Sequence, residues 1–209
     1  LPAEMNLLVI GLAPGGQEEE QGKPFVGPSG NLLRSALAEA DFRVDRVGFA
    51  NLTRCRPPND DFESSDWIQA EKLCWQYLAA DLAKHQQVPI VLLGSGPVKR
   101  FLNDKSERVT RHRGLWIPTE QGRRAFIARH PSGILRTKDQ AERQRLEQQF
   151  REDIVRMAES LREQAAKPPV LAFESPFKAQ AFLARLAQHL GPWAFDLEAY
   201  DAGAFPSRE

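Results

Sequence analysis

LLVIGLAPGGQEEEQGKPFVGPSGNLL, residues 7–33, is the stretch from which the rest of the chain is read. Leu7 to Ile10 is a short continuous apolar run, the pattern of a strand buried on both faces of a sheet. From Gly11 to Leu33 the chain turns to glycine, proline and acids, which makes a shaped loop at that strand's carboxyl end. Open α/β sheets bind ligands at this end. The first wall of a site is therefore expected here, with Gly11 at its base. A helix from about Asn31 to Ala40 closes the stretch, with Ser29 as N-cap and Leu32, Leu33, Ala36 and Leu37 on one apolar face.

Strand and helix alternate beyond it. Val47–Leu52 reads as a second strand, running into the polar loop Asn51-Leu52-Thr53-Arg54-Cys55-Arg56-Pro57-Pro58. Ser65-Asp66 opens a long helix through Trp67, Leu73, Cys74, Tyr77 and Leu82. Ile90–Leu93 is a third strand, closed by Gly94-Ser95-Gly96-Pro97 and a short helix to Leu102. Leu115–Ile117 and Ala125–Ala128 are two more, the latter leading into His130-Pro131-Ser132-Gly133-Ile134-Leu135-Arg136. A charged helix follows, with Leu146, Phe150, Ile154, Met157 and Leu161 as its apolar stripe. This order predicts an α/β fold with a mostly parallel sheet flanked by helices.

Lys167-Pro168-Pro169 is the one boundary, because paired prolines end a helix and stiffen a linker. It divides a domain at residues 1–166 from a segment at 170–209 that is too short to bury much core alone. No apolar run reaches the length of a membrane span, and no signal-peptide pattern opens the chain, so a cytoplasmic, monomeric protein or a piece of a longer one is expected. Two cysteines, Cys55 and Cys74, exclude a disulfide framework and read alone as structural thiols. Formal net charge is zero, yet residues 99–145 hold thirteen Lys/Arg against five acids. That basic middle is either a phosphate-facing surface or a solvated face.

The strand ends carry side chains with a coherent chemistry. Phe25, held by Pro24 and Gly27, offers a flat face on which a base can stack. The Asn51 amide has the acceptor and donors to read a pyrimidine's imide edge. His130 can donate to a carbonyl oxygen that gains charge as a base departs. Ile134 and Leu135, with Arg136 beside them, can fill the gap left by a flipped nucleotide.

GLAPGGQEEEQGKPFVGPSGNLL, NLTRCRPPND and HPSGILR together resemble the uracil-DNA glycosylase superfamily, and within it the family 4, iron–sulfur type. The resemblance implies a four-stranded parallel sheet and hydrolysis of the N-glycosidic bond of uracil in DNA. It implies that Phe25 stacks on the uracil, Asn51 reads its edge and His130 stabilises the departing anion, with Glu18 shaping the pocket and ordering water. Ala13, Pro14 and Gly15 would supply backbone around the base. Ser29, Gly30, Ser132 and Arg136 would touch DNA, and Ile134 and Leu135 would be the wedge. Cys55 and Cys74 would be two of four ligands to a 4Fe–4S cluster, the other two being absent from this chain; bond cleavage itself requires no cofactor. The family carries a catalytic Glu where this chain has Leu12, and GLAPG stands closer to the family 5 pattern. A leucine cannot accept a proton, so the resemblance leaves two expectations: a glycosylase, or a uracil-DNA-binding module weakened in catalysis.

The tail from Val170 to Tyr200 resembles the opening of the 3′–5′ exonuclease domain of family A DNA polymerases, with Asp196 and Glu198 as its metal-holding Asp-x-Glu. That resemblance implies an attached exonuclease–polymerase region as covalent partner.

Overall fold

A computed structural model describes residues 1–166 apart from 3, 104–108 and 121. The Lys167–Pro169 linker, the exonuclease-like tail and Asp196 and Glu198 lie outside the described residues.

The strands are β1 (Leu7–Gly11), β2 (Val47–Asn51), β3 (Ile90–Leu93), β4 (Trp116–Pro118) and β5 (Arg124–Ala128). They form one sheet in the order β2-β1-β3-β5-β4. The first four in that order run parallel, and β4 is an antiparallel edge against β5. The expected four-stranded parallel sheet is thus present with one strand added. It is added because Gly114 turns the chain back at a φ of +77° and Leu115 then pairs with Ile127.

β1 and β3 are buried along their whole length, which is why they read as unbroken apolar runs rather than alternating ones. Their side chains still alternate between faces. Leu7, Val9, Val91, Leu93, Phe126 and Ala128 enter one core, with Leu33 and Leu37 of helix α2 and Phe150, Ile154 and Met157 of helix α7. Leu8, Ile10, Ile90, Leu92 and Ile127 enter the other, with Leu78 and Leu82 of α3 and Val98 and Phe101 of α4. These helices span Pro28–Glu39 (α2), Ser65–Lys84 (α3), Ser95–Leu102 (α4) and Gln140–Ala166 (α7); the short helices are α1 (Gly16–Gln21), α5 (Val109–His112) and α6 (Pro131–Leu135).

Three local readings change. α2 starts before Ser29, because Gly27 is extended and Pro28 takes the first helical position, where its missing N–H is not needed. α3 is capped by Ser64, whose hydroxyl accepts from the Trp67 N–H at 3.2 Å. On that helix only Trp67, Leu78 and Leu82 are buried, whereas Leu73 and Tyr77 face outward. The α3 end is held by Arg123, which donates to the carbonyls of Leu82 (3.3 Å), His85 (3.1 Å) and Val88. No described helix is long and apolar enough to cross a membrane.

Phe150 is fully buried between α7 and the sheet. Removing an aromatic ring from such a site costs about 3–5 kcal/mol. Phe150→Ala is expected to lower unfolding free energy by that amount in denaturant titration, with the slope unchanged.

Candidate active site

The order β2-β1-β3 places a crossover over β1, so a crevice opens outside the carboxyl ends of β1 and β3. Gly11 and Asn51 end adjacent strands in register. Gly94 follows β3 and donates to the Ala128 carbonyl at 3.0 Å, which brings the β3 end beside His130. The sequence-predicted residues Gly11, Phe25, Asn51 and His130 therefore share one edge of the sheet.

Gly11 has to be glycine. A Cβ there would lie 2.5 Å from Asn51 Oδ1 and 2.8 Å from Phe25 Cζ. The space above its α-carbon belongs to the two side chains that define the pocket. Among the described residues the Asn51 side chain makes no hydrogen bond, which leaves its amide available to a ligand.

Phe25 is held by its backbone. It adopts φ +56°, a left-handed conformation that costs a bulky residue roughly 1–2 kcal/mol. Glu18 offsets this by accepting from the Val26 and Gly27 N–H groups at 3.0 and 2.7 Å through one oxygen. Arg34 donates from Nε to the Phe25 carbonyl at 3.1 Å, and its guanidinium lies 4.3 Å above the Phe49 ring. A Cβ on Gly30 would sit 2.0 Å from the Phe25 carbonyl oxygen. Gly30 is thus buried beneath Phe25 and admits that close approach. The Phe25 ring tilts against Phe49 with centroids 5.6 Å apart and lies stacked toward His130 at 6.1 Å.

His130 caps α6. Its Nδ1 accepts from the Ser132 N–H at 3.1 Å and lies 2.8 Å from the Ser132 hydroxyl. A ring nitrogen that accepts carries no proton, so the neutral ring bears its hydrogen on Nε2. Burial, with the Arg136 charge acting in the same direction and Glu18 opposing, lowers its pKa to about 4. The imidazole is therefore a neutral donor at physiological pH. The Ser132 hydroxyl, expected at DNA, is engaged with this ring.

Ile134 is 1% exposed and packs in the core with Leu33 and Phe150. The expectation that it wedges into DNA is corrected on that ground, since the first turn of α6 points it inward. Leu135 is partly buried and Arg136 exposed. Leu12 also packs inward, against Gly96 at the start of α4, where a Cβ would meet its Cδ1 at 2.6 Å. Ala13 and Pro14 are half-buried and Gly15 is exposed along the mouth. The second Glu18 oxygen lies close enough to Gly15 to exclude a Cβ there.

Cys55 and Cys74 come together: burial, and after it the neighbouring Cys74, push up the Cys55 thiol. Among the described residues no group of three or more His, Cys, Asp or Glu is placed to hold a metal. A cubane takes four thiolates. Two do not complete it. A cavity of about 730 Å³ opens at the opposite end of the sheet, lined by Trp75, Pro89, Trp116 and Arg123. None of the predicted site residues reaches it.

The family model described as the uracil DNA glycosylase superfamily matches residues 1–155. A type-4 uracil-DNA glycosylase of Thermotoga maritima is 30% identical over 135 residues, 65% of this chain and 69% of that protein. One of Pyrobaculum aerophilum is 30% identical over 139 residues, covering 64% and 69%. One of Sulfurisphaera tokodaii is 31% identical over 137 residues, covering 62% and 61%.

The His130 shift has a thermodynamic signature. Unfolding restores an ordinary histidine pKa near 6.5, so between about 4 and 6.5 the unfolded chain binds the extra proton. Stability is expected to be complete above pH 6.5 and to fall by about 3 kcal/mol as pH drops through that window. Chemical denaturation at a series of pH values checks this, and His130→Gln should flatten the dependence.

Proposed function

The chain belongs to the uracil-DNA glycosylase superfamily, and on that premise we propose that it hydrolyses the N-glycosidic bond of a uracil flipped out of DNA. The observation that carries the reading is the neutral His130 donor set beside the Phe25 ring, above a glycine that leaves room for Asn51.

The uracil ring lies on Phe25. Asn51 accepts from uracil N3–H and donates to O4, a pairing that cytosine's edge does not offer. As the C1′–N1 bond breaks, its electron pair passes to the base and charge gathers on O2. His130 donates from Nε2 to that oxygen. A neutral donor suits the task, because its strength lies in being fixed in a dry site before charge develops. Water adds to C1′ and releases a proton, which leaves an abasic sugar and free uracil. Leu12 offers no base for that water. Glu18 is the acid nearest the pocket mouth, with one oxygen bound to the loop backbone and the other facing Gly15.

A second reading, a uracil-DNA-binding module of reduced turnover, is favoured by one observation: Leu12 is packed against Gly96 rather than presented to the pocket. The resemblances of the tail and of Cys55 and Cys74 support a longer polymerase-linked, iron–sulfur protein as the setting for either reading.

The wild-type chain in excess over a uracil-containing oligonucleotide is expected to release uracil and leave alkali-labile sites. His130→Ala should slow single-turnover release about 10²–10³-fold, the range for loss of one oxyanion donor, with little change in DNA affinity. No release by the wild type, with uracil-specific binding retained, selects the second reading.

A further inference from the structure

A separate charged cluster stands beside the pocket, on the β4 side. Asp153, midway along α7, is 1% exposed. Arg113 donates from Nη1 to its Oδ2 at 2.6 Å, and Arg156 Nη1 stands 3.5 Å from its Oδ1. The charge of Arg129 reaches the same carboxyl group. Gly114, at φ +77°, opens the space: a Cβ there would lie 2.7 Å from Arg156 Nη1 and 2.9 Å from Asp153 Oδ1.

The cluster lies at the same edge of the sheet as the pocket. Gly114 donates to the Ile127 carbonyl at 2.9 Å, which sets it level with the carboxyl end of β5. Arg129 is the residue between that strand and His130.

Arg113 and Arg156 both stand within ion-pair distance of the one carboxylate, and the charge of Arg129 reaches it as well. Glu142, the other acid that Arg129 reaches, is already bound by Arg145 through two hydrogen bonds of 2.7 Å. Among the described residues Arg129 Nε is buried without a hydrogen-bond partner, as is Asp153 Oδ1. An unmet buried donor is unfavourable, more so when charged. A buried guanidinium with an unmet donor is completed by an anion with several acceptor oxygens. The planar fork of arginine matches phosphate for this purpose. Arg113 and Arg156 keep part of their side chains exposed, 25% and 58%, and so remain reachable.

We propose that Arg129, Arg113 and Arg156 form a binding site for a backbone phosphate of the DNA strand that carries the flipped nucleotide. Asp153 acts there as the positioning group that holds two of the three cations in place. The proposal rests on DNA being the substrate. Its contribution is register: a phosphate anchored one residue from His130 sets which nucleotide stands over the pocket, without reading sequence.

The test measures affinity for a duplex oligonucleotide, with and without one uracil, by fluorescence anisotropy over a salt series. Arg129→Gln is expected to weaken binding of both duplexes about tenfold at low salt. It should also reduce the slope of log K against log salt by about 0.9, the value for one phosphate on duplex DNA. Arg129→Lys should keep most of the slope. Unchanged affinity and slope in an Arg129→Gln protein that melts like the wild type overturns the site. Should Arg129→Gln not fold, Arg156→Gln is read by the same measures. The two readings fail separately. Uracil release with an Arg129-independent slope removes the phosphate site alone. An Arg129-dependent slope without uracil release or uracil preference removes the glycosylase assignment alone.

Discussion

The Phe25 carbonyl oxygen occupies the place where a side chain on Gly30 would begin, 2.0 Å from the position of its Cβ. That contact lets the loop after α1 turn back over the helix it has yet to enter, and the turn forces the left-handed backbone at Phe25. Three charged hydrogen bonds then hold it, two into Glu18 and one from Arg34. Charge-assisted bonds are stronger than neutral ones, so the clamp outweighs the local strain. The ring orientation is therefore a property of the loop rather than of the ring's own packing. A stacking face made this way is ready before its ligand arrives, which lowers the ordering entropy lost on binding.

A similar economy governs His130. The residue ends a strand and caps a helix, and capping decides its protonation as well as its direction. With Nδ1 turned to the Ser132 N–H, only Nε2–H can face the crevice. The neighbouring Arg136 charge and the buried setting both disfavour a second proton. The electrostatics of the edge thus divide into a dry, neutral donor at the pocket and cations beside it. In the proposed reaction, substrate charge is met by the rim and developing charge by the histidine.

Much of this was legible in sequence, and the limits follow from range. β1 and β3 were readable because strands covered on both faces are apolar throughout. Gly11, Phe25, Asn51 and His130 were readable because strand ends of a parallel sheet converge. Ile134 was misplaced because an apolar residue in a polar loop looks exposed until the one-turn helix that rotates it inward is seen. α1 was hidden because its acidic run, Glu18-Glu19-Glu20, sits between glycines. Arg34 gave no sign, since its importance lies in a carbonyl nine residues away. The Asp153 cluster joins helix α7 to two connecting segments, with Arg113 and Asp153 40 positions apart, and no local pattern marks it.

Leu12 and Gly96 occupy a single volume divided between two elements. The leucine's branch fills what would be the side-chain space of the glycine at the start of α4. Neither position is free to change by itself. A larger residue at 96 would drive Leu12 out toward the crevice, while a smaller one at 12 would leave a hole above α4. The leucine at position 12 is for this reason tied to a helix entrance. Putting an acid there would require that entrance to be rebuilt as well.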